Sequence, residues 1–159
     1  VVTSEKEPLL VKQIAAALAA VFPIIAAPAF AESPEVFTGR FSDLAVGGYD
    51  AVAYFEEGQP VKGSKEFSFS YEGATWLFSS AENLDQFKED PDAYAPQYGG
   101  YRAWAAAQGY TAPGNPKYWS VRGGKLYLNY DAGVQTKWLK DPDGFIKKAD
   151  ANWPGILDK

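Results

Sequence analysis

Two stretches of the chain alternate apolar and polar residues with the period of a β-strand, and each is interrupted by a glycine-bearing turn. In the first, Phe67, Phe69, Tyr71, Ala74, Trp76 and Phe78 fall on one face about Glu72-Gly73. Ser68, Ser70 and Thr75 fall on the other, with Leu77. This spacing predicts a hairpin that pairs Tyr71 with Ala74, Phe69 with Trp76 and Phe67 with Phe78, one side core and the other wet. A second hairpin is predicted over Tyr118 to Tyr130 about Gly123-Gly124, with Trp119, Val121, Leu126 and Leu128 sharing a face. Between and after them the period changes to that of a helix. Ser79 and Glu82 form a capping-box pattern ahead of Leu84 and Phe87, and Pro91 ends that helix. Tyr101 to Gln108 reads as a second helix closed by Gly109, with Tyr101, Trp104 and Ala105 on one side. Asp131 can cap a helix in which Val134 and Trp138 stack at i and i+4, and Asp141-Pro142 opens a helix over Phe145 to Ala151. The run Tyr49 to Phe55, after Gly47-Gly48, is too short to choose between strand and helical turn. The fold class expected is α+β, small antiparallel hairpins packed with short helices, with no internal repeat beyond that alternation.

The first 31 residues read differently. Lys6 and Lys12 precede the apolar run Ile14 to Ile25, and Ala29-Phe30-Ala31 is a small-x-small cleavage pattern. An N-terminal signal helix is expected at 1–31, in preference to a retained anchor, because Pro23 and Pro28 interrupt the apolar stretch. A loosely held lead-in at 32–46, with Pro34 and Gly39, would then precede a folded domain at 47–159. The expected location is periplasmic or secreted, with membrane contact only through the N-terminal segment if it is not cleaved. The leader holds two Lys and two Glu, so the remainder keeps the net charge of −5. An acidic domain without a basic stretch excludes nucleic acid as an expected partner.

Composition narrows the chemistry further. There is no Cys, no His and no Met, against 5 Trp, 10 Tyr and 10 Phe. Thiolate and imidazole metal sites, disulfides, Cys nucleophiles and His bases are excluded. No nucleophile elbow, phosphate loop or dinucleotide fingerprint is present. No catalytic residue and no cofactor is therefore named, and an enzyme ranks third among the readings. Arg102 is the leading candidate for ligand contact, beside Tyr98, Tyr101 and Trp104. Tyr49, Asp50 and Tyr54 complete a candidate pocket for a small anionic or aromatic ligand. The plainer alternatives are that Arg102 is a surface residue or pairs with Asp50, and that the rings are core. Asp90-Pro91-Asp92 and Asp141-Pro142-Asp143 offer oxygen ligands for a cation, although Asp-Pro is also an ordinary helix start.

The segment Tyr71-Glu72-Gly73-Ala74-Thr75-Trp76-Leu77-Phe78-Ser79-Ser80, followed by Phe87, Pro91 and Tyr94, resembles the YHS domain. The runs GGYDAVAYF from Gly47, QYGGY from Gln97, KLYLNY from Lys125 and ADANWP from Ala149 are similar to the exported YHS-domain proteins of bacteria. Many YHS domains bind metal through cysteines, and the resemblance puts Ala53, Ser79 and Asn83 in the three cysteine seats. Exported relatives often carry Cys after QYGGY, where this chain has Arg102. The resemblance thus implies a YHS-like scaffold whose thiolate site is lost. The reading expected from it is a non-catalytic binding or accessory domain, with a small-molecule ligand or an envelope protein as partner. The alternative is a metal-handling protein for copper or iron that uses oxygen ligands.

Overall fold

The two glycine turns fold the chain back on itself as the alternation requires. The computed structural model describes residues 31–159; apart from Ala31, the expected signal segment lies outside them. In the first hairpin β1 (Ser64–Tyr71) pairs antiparallel with β2 (Ala74–Phe78). Glu72 and Gly73 both have positive φ, 51° and 73°, the geometry that matches the twist of a two-residue hairpin. Tyr71 faces Ala74 and Phe69 faces Trp76, as expected, but the expected partnership of Phe67 with Phe78 does not form. The register shifts between Ser64 and Ser68, so that Phe78 lies opposite Ser64. The second face is wet as expected at Ser68 and Ser70, which are exposed, but not at Leu77, which is buried against Gly48 and Gly63.

Helix α1 (Ala53–Glu56) resolves the ambiguous run as a helical turn. Helix α2 (Ala81–Glu89) follows β2 and buries Asn83 and Phe87, four residues apart. Its cap is Ser80, which accepts from the Asn83 backbone N–H at 3.1 Å, one residue later than the expected Ser79. Phe87 sits among aromatic rings, with centroids 4.8 Å from Trp76 and 5.0 Å from Phe78. Helix α3 (Pro91–Tyr94) starts at the Asp90 cap.

Helix α4 (Ala103–Gln108) is shorter than expected, leaving Tyr101 outside it and Arg102 as its N-cap, and Gly109 closes it at φ 90°. Its small residues Ala103, Ala105, Ala106 and Ala107 are all buried, which lets it approach α6 (Pro142–Asn152) closely. The Asn152 amide crosses that seam to the Ala106 carbonyl at 2.9 Å. The second hairpin joins β3 (Asn115–Arg122) to β4 (Lys125–Asn129), and α5 (Ala132–Trp138) starts at the Asp131 cap. Leu126 and Leu128 of β4 belong to one core with Val52, Trp76 and Phe87, while Tyr127 belongs to another with Tyr98, Tyr101 and Trp138. β4 thus has no wet face, and Val121, expected on the shared inner face, is 38% exposed.

The lead-in is fastened rather than loose. Ser33 donates to Leu157, Phe37 to Gly99, and Thr75 to Asp43, at 2.7 to 2.9 Å, and Val36 is buried. Among the described residues no helix is long and apolar enough to cross a membrane.

Candidate functional site

A buried carboxylate lies where the cysteine seats converge. Asp50 is wholly buried at the head of α1, its backbone N–H donating to the Val61 carbonyl at 2.8 Å. Its Oδ1 accepts from the Val52 and Ala53 backbone N–H groups at 2.9 and 3.2 Å, which caps the helical turn. Its Oδ2 accepts from the Ser79 N–H at 2.8 Å, the Ser79 hydroxyl at 2.7 Å and the Asn83 amide at 2.8 Å. A charge removed from water is tolerated only when donors replace the lost hydration, and five do so here. Three separate elements, the start of α1, the end of β2 and the first turn of α2, are tied to one side chain.

Ala53, Ser79 and Asn83 therefore do converge, but as a structural cluster. Ala53 offers no side-chain donor atom, and the Ser79 hydroxyl and Asn83 amide already give their hydrogens to Asp50. A carboxylate has about four lone-pair positions, and those of Asp50 are taken up. The residues present do not fit a thiophilic metal ion. The Asp-Pro-Asp acids are spread apart. Asp90 and Asp141 cap helices, Asp92 accepts from the Tyr71 hydroxyl at 3.1 Å, and Asp143 pairs with Arg122 at 2.7 Å. Among the described residues no three acids gather into a cation cage.

The five aromatic residues among the seven candidates divide between the two cores, Asp50 lies beside the first, and Arg102 lies on neither. Tyr49 and Tyr54 lie on the first; the Tyr54 hydroxyl donates to the Pro116 carbonyl at 2.7 Å and its ring meets Trp119 edge-on. Tyr98, Tyr101 and Trp104 lie on the second. The Tyr98 hydroxyl donates to Asp150 at 2.8 Å and that of Tyr101 to the Pro34 carbonyl at 2.8 Å. Arg102 does not meet Asp50. Its guanidinium lies over the Tyr130 ring, 4.4 Å from the centroid, and its backbone N–H donates to Ala112. The helix N–H groups beside it are not all open to a ligand, since the Trp104 N–H donates to the Asn129 side chain at 3.2 Å.

Burial pushes the Tyr54 and Tyr98 hydroxyls well above their ordinary value near 10, and for Tyr98 the hydrogen bond and charge of Asp150 add to it. Both phenols stay protonated in the folded chain at a pH where unfolded tyrosine ionises. The stability they carry is whole below about pH 10 and is lost as the pH rises beyond it. An ultraviolet titration should find their ionisation arriving together with alkaline unfolding. Smooth ionisation of all ten tyrosines near pH 10 with the fold intact would contradict this.

A cleft of about 440 Å³ opens beside the first core; of its residues only Tyr98 belongs to the ligand pocket expected from the sequence. Its walls are Tyr71, Trp76, Tyr98 and Trp153. Glu35 of the lead-in, Glu72 of the hairpin turn and Asp92 of α3 bring three carboxylates to its rim, against the single cation Lys125. All three press on the Tyr71 hydroxyl, whose proton is held more tightly through burial first and then the Asp92 hydrogen bond and the neighbouring negative charges. No local pattern could have revealed this gathering, because its members come from five distant segments. Tyr98, at φ 58°, is the one feature with a local signal: it stands before Gly99-Gly100 in a left-handed turn.

Residues 52–98 match the YHS domain family model. No curated protein and no solved structure matches the chain. The YHS match takes in Ala53, Ser79 and Asn83, begins two residues after Asp50, and leaves everything beyond Tyr98 unassigned. It points to a metal-associated accessory domain. The cluster around Asp50 is where this chain departs from the metal-binding members its sequence resembles.

Proposed function

We propose that this chain is a non-catalytic accessory domain of the bacterial envelope that acts by binding, in a YHS scaffold whose thiolate seats have been refilled by the Asp50 cluster. Its ligand is a small cation bearing an aromatic ring, held in the cleft walled by Tyr71, Trp76, Tyr98 and Trp153. The observation that carries this reading is the cleft itself: aromatic walls, three carboxylates on the rim and one lysine. Its volume of about 440 Å³ suits a small molecule. Rings attract a cation through their negative faces, and the carboxylates add charge attraction. Of the two ligand classes expected from sequence, the rim favours the aromatic one and repels the anionic one. The envelope location rests on the signal-like pattern of 1–31 alone. The oxygen-ligand alternative has less support, since the Asp-Pro-Asp acids serve as caps and pair partners.

Tyramine and 4-hydroxyphenylacetate, which share a ring and differ in charge, separate the readings. Tyramine should raise the melting temperature saturably and change tryptophan emission, and Glu72→Gln should weaken it, while the acid does neither. Equal binding of both, or of neither, would remove the cleft from consideration. Equilibrium dialysis against copper(I) and zinc(II) tests the other half, with less than stoichiometric metal expected; one tightly held ion per chain would overturn it.

A further inference from the structure

The two halves of the chain repeat each other at a nearly constant spacing. Both hairpins pair an eight-residue strand with a five-residue strand across a turn whose two φ angles are positive. Their registers coincide: Ser68 with Leu77 and Phe69 with Trp76 recur 51 positions on as Trp119 with Leu128 and Ser120 with Tyr127. Each register breaks at the same place, between Ser64 and Ser68 and between Asn115 and Trp119. The next helices are capped at Ser80 and Asp131, and those after them at Asp90 and Asp141, all again 51 apart. In each core one aromatic from the helix meets one from the short strand, Phe87 on Trp76 and Trp138 on Tyr127.

The agreement extends upstream with one residue more of spacing. Val46-Gly47-Gly48 and Tyr98-Gly99-Gly100 have φ of 53°, 59° and 82° and of 58°, 60° and 86°. The Asp50 N–H donates to Val61 and the Arg102 N–H to Ala112, both at 2.8 Å. Gly63 and Gly114 both lie against the leucine of the short strand, Leu77 and Leu128. Independent hairpin-helix pairs would share the alternation but not the bulge, the left-handed triplet and this long-range bond together. The sequence reading found no repeat because the matching positions hold different residues, so backbone conformation carries the likeness where side chains do not.

We propose that residues 98–145 are a second, diverged copy of the unit spanning 46–94, and that Arg102, Ala105, Tyr130 and Val134 occupy the counterpart of the seat held by Asp50, Ala53, Ser79 and Asn83. The chemistry of the second seat has been exchanged. A guanidinium stands in place of the carboxylate, and the Tyr130 ring beneath it stands in place of Ser79. The Trp104 N–H, counterpart of the Val52 N–H that Asp50 caps, is served instead by Asn129, which is buried and bonded to Gln135 at 3.0 Å. Released from capping, the second seat faces outward: Arg102 is half-buried and Tyr130 is 46% exposed. Each copy has closed its seat with its own side chains. The cleft bounded by Tyr71, Asp92 and Lys125 then lies where the copies meet, which is where ligand sites concentrate.

Rebuilding the first seat in the second copy tests this. Y130S/V134N supplies the hydroxyl and amide of Ser79 and Asn83, and R102D supplies the carboxylate. Urea midpoints are measured for Y130S/V134N on the R102D background and on the R102A background, the latter removing the arginine–tyrosine stack without adding an acceptor. If the seats correspond, Y130S/V134N raises the midpoint on R102D and lowers it on R102A. Equal effects on the two backgrounds would overturn the proposal. The positions altered are partly exposed, so the variants should fold. If R102D does not, the same comparison by hydrogen exchange on R102N against R102A decides it: greater protection of the amides at 104 and 105 in R102N supports the correspondence, and equal protection refutes it.

Discussion

Asp50→Ala is expected to lower the stability of the fold by about 3–5 kcal/mol. The carboxylate is wholly buried, so the buried Val52 and Ala53 N–H groups and the Asn83 amide aimed at it cannot turn to water when it is removed, and the half-buried Ser79 donors lose their partner as well. Each stranded donor costs about 1–3 kcal/mol, moderated by what relaxation can recover. Three elements come loose together, and the loss should be cooperative. Asp50→Asn keeps the shape and one acceptor oxygen but turns an amide N–H₂ towards donors, so it should fall between Asp50→Ala and wild type. Ser79→Ala removes one hydroxyl and should cost about 1–2 kcal/mol. Urea unfolding followed by tryptophan fluorescence ranks the three variants. If Asp50→Ala were as mild as Ser79→Ala, the carboxylate would not be what holds the seat together.

Gly99→Ala should cost about 2–4 kcal/mol and open the cleft. Gly99 has φ 60°, a region where a side chain is strained, and a Cβ there would run into the Glu35 carbonyl. The Phe37 N–H donates to the Gly99 carbonyl at 2.9 Å, so the collision strikes the seam that fastens the lead-in and carries Glu35 to the rim. Gly58 is the control, since it has φ 65° and nothing within 4 Å of a built Cβ. Gly58→Ala bears the conformational cost alone, about 1–2 kcal/mol. Faster amide exchange at residues 33–37 in Gly99→Ala, absent in Gly58→Ala, would separate collision from strain. Equal losses in the two variants would show that the close approach of Glu35 contributes nothing.

Much of the architecture was legible locally. A two-residue turn with glycine, alternating rings and an Asp-Pro helix start each act within a few residues, so the turns and inner registers of both hairpins and the α6 start are legible. The pairing of Phe67 with Phe78 and the inner place of Val121 are not borne out. The failures have a common cause. Ser79 was assigned to cap α2 because it stands three residues before Glu82, but the buried Asp50 outcompetes the helix for its hydroxyl and Ser80 caps instead. Leu77 and Tyr127 were assigned no core partner, because alternation along one strand says nothing of a second layer arriving on its other face. The cysteine seats came from the family resemblance. That they close round Asp50 is not legible in the sequence, where a pairing with Arg102 is only one of the plainer alternatives for that arginine.

The amino-acid sequence alone determined the α+β class, the two hairpins, most of the caps and the absence of any thiol or imidazole, since all of these depend on neighbours in the chain or on composition. Only the tertiary structure decided that Asp50 meets Ser79 and Asn83 and that Arg102 stacks on Tyr130 instead. It alone brought Glu35, Glu72 and Asp92 to one rim, and it alone exposed the repeat. These depend on the path of the backbone through left-handed turns and bulges. Very different side chains can follow the same path, and positions far apart in sequence become neighbours only once it is closed.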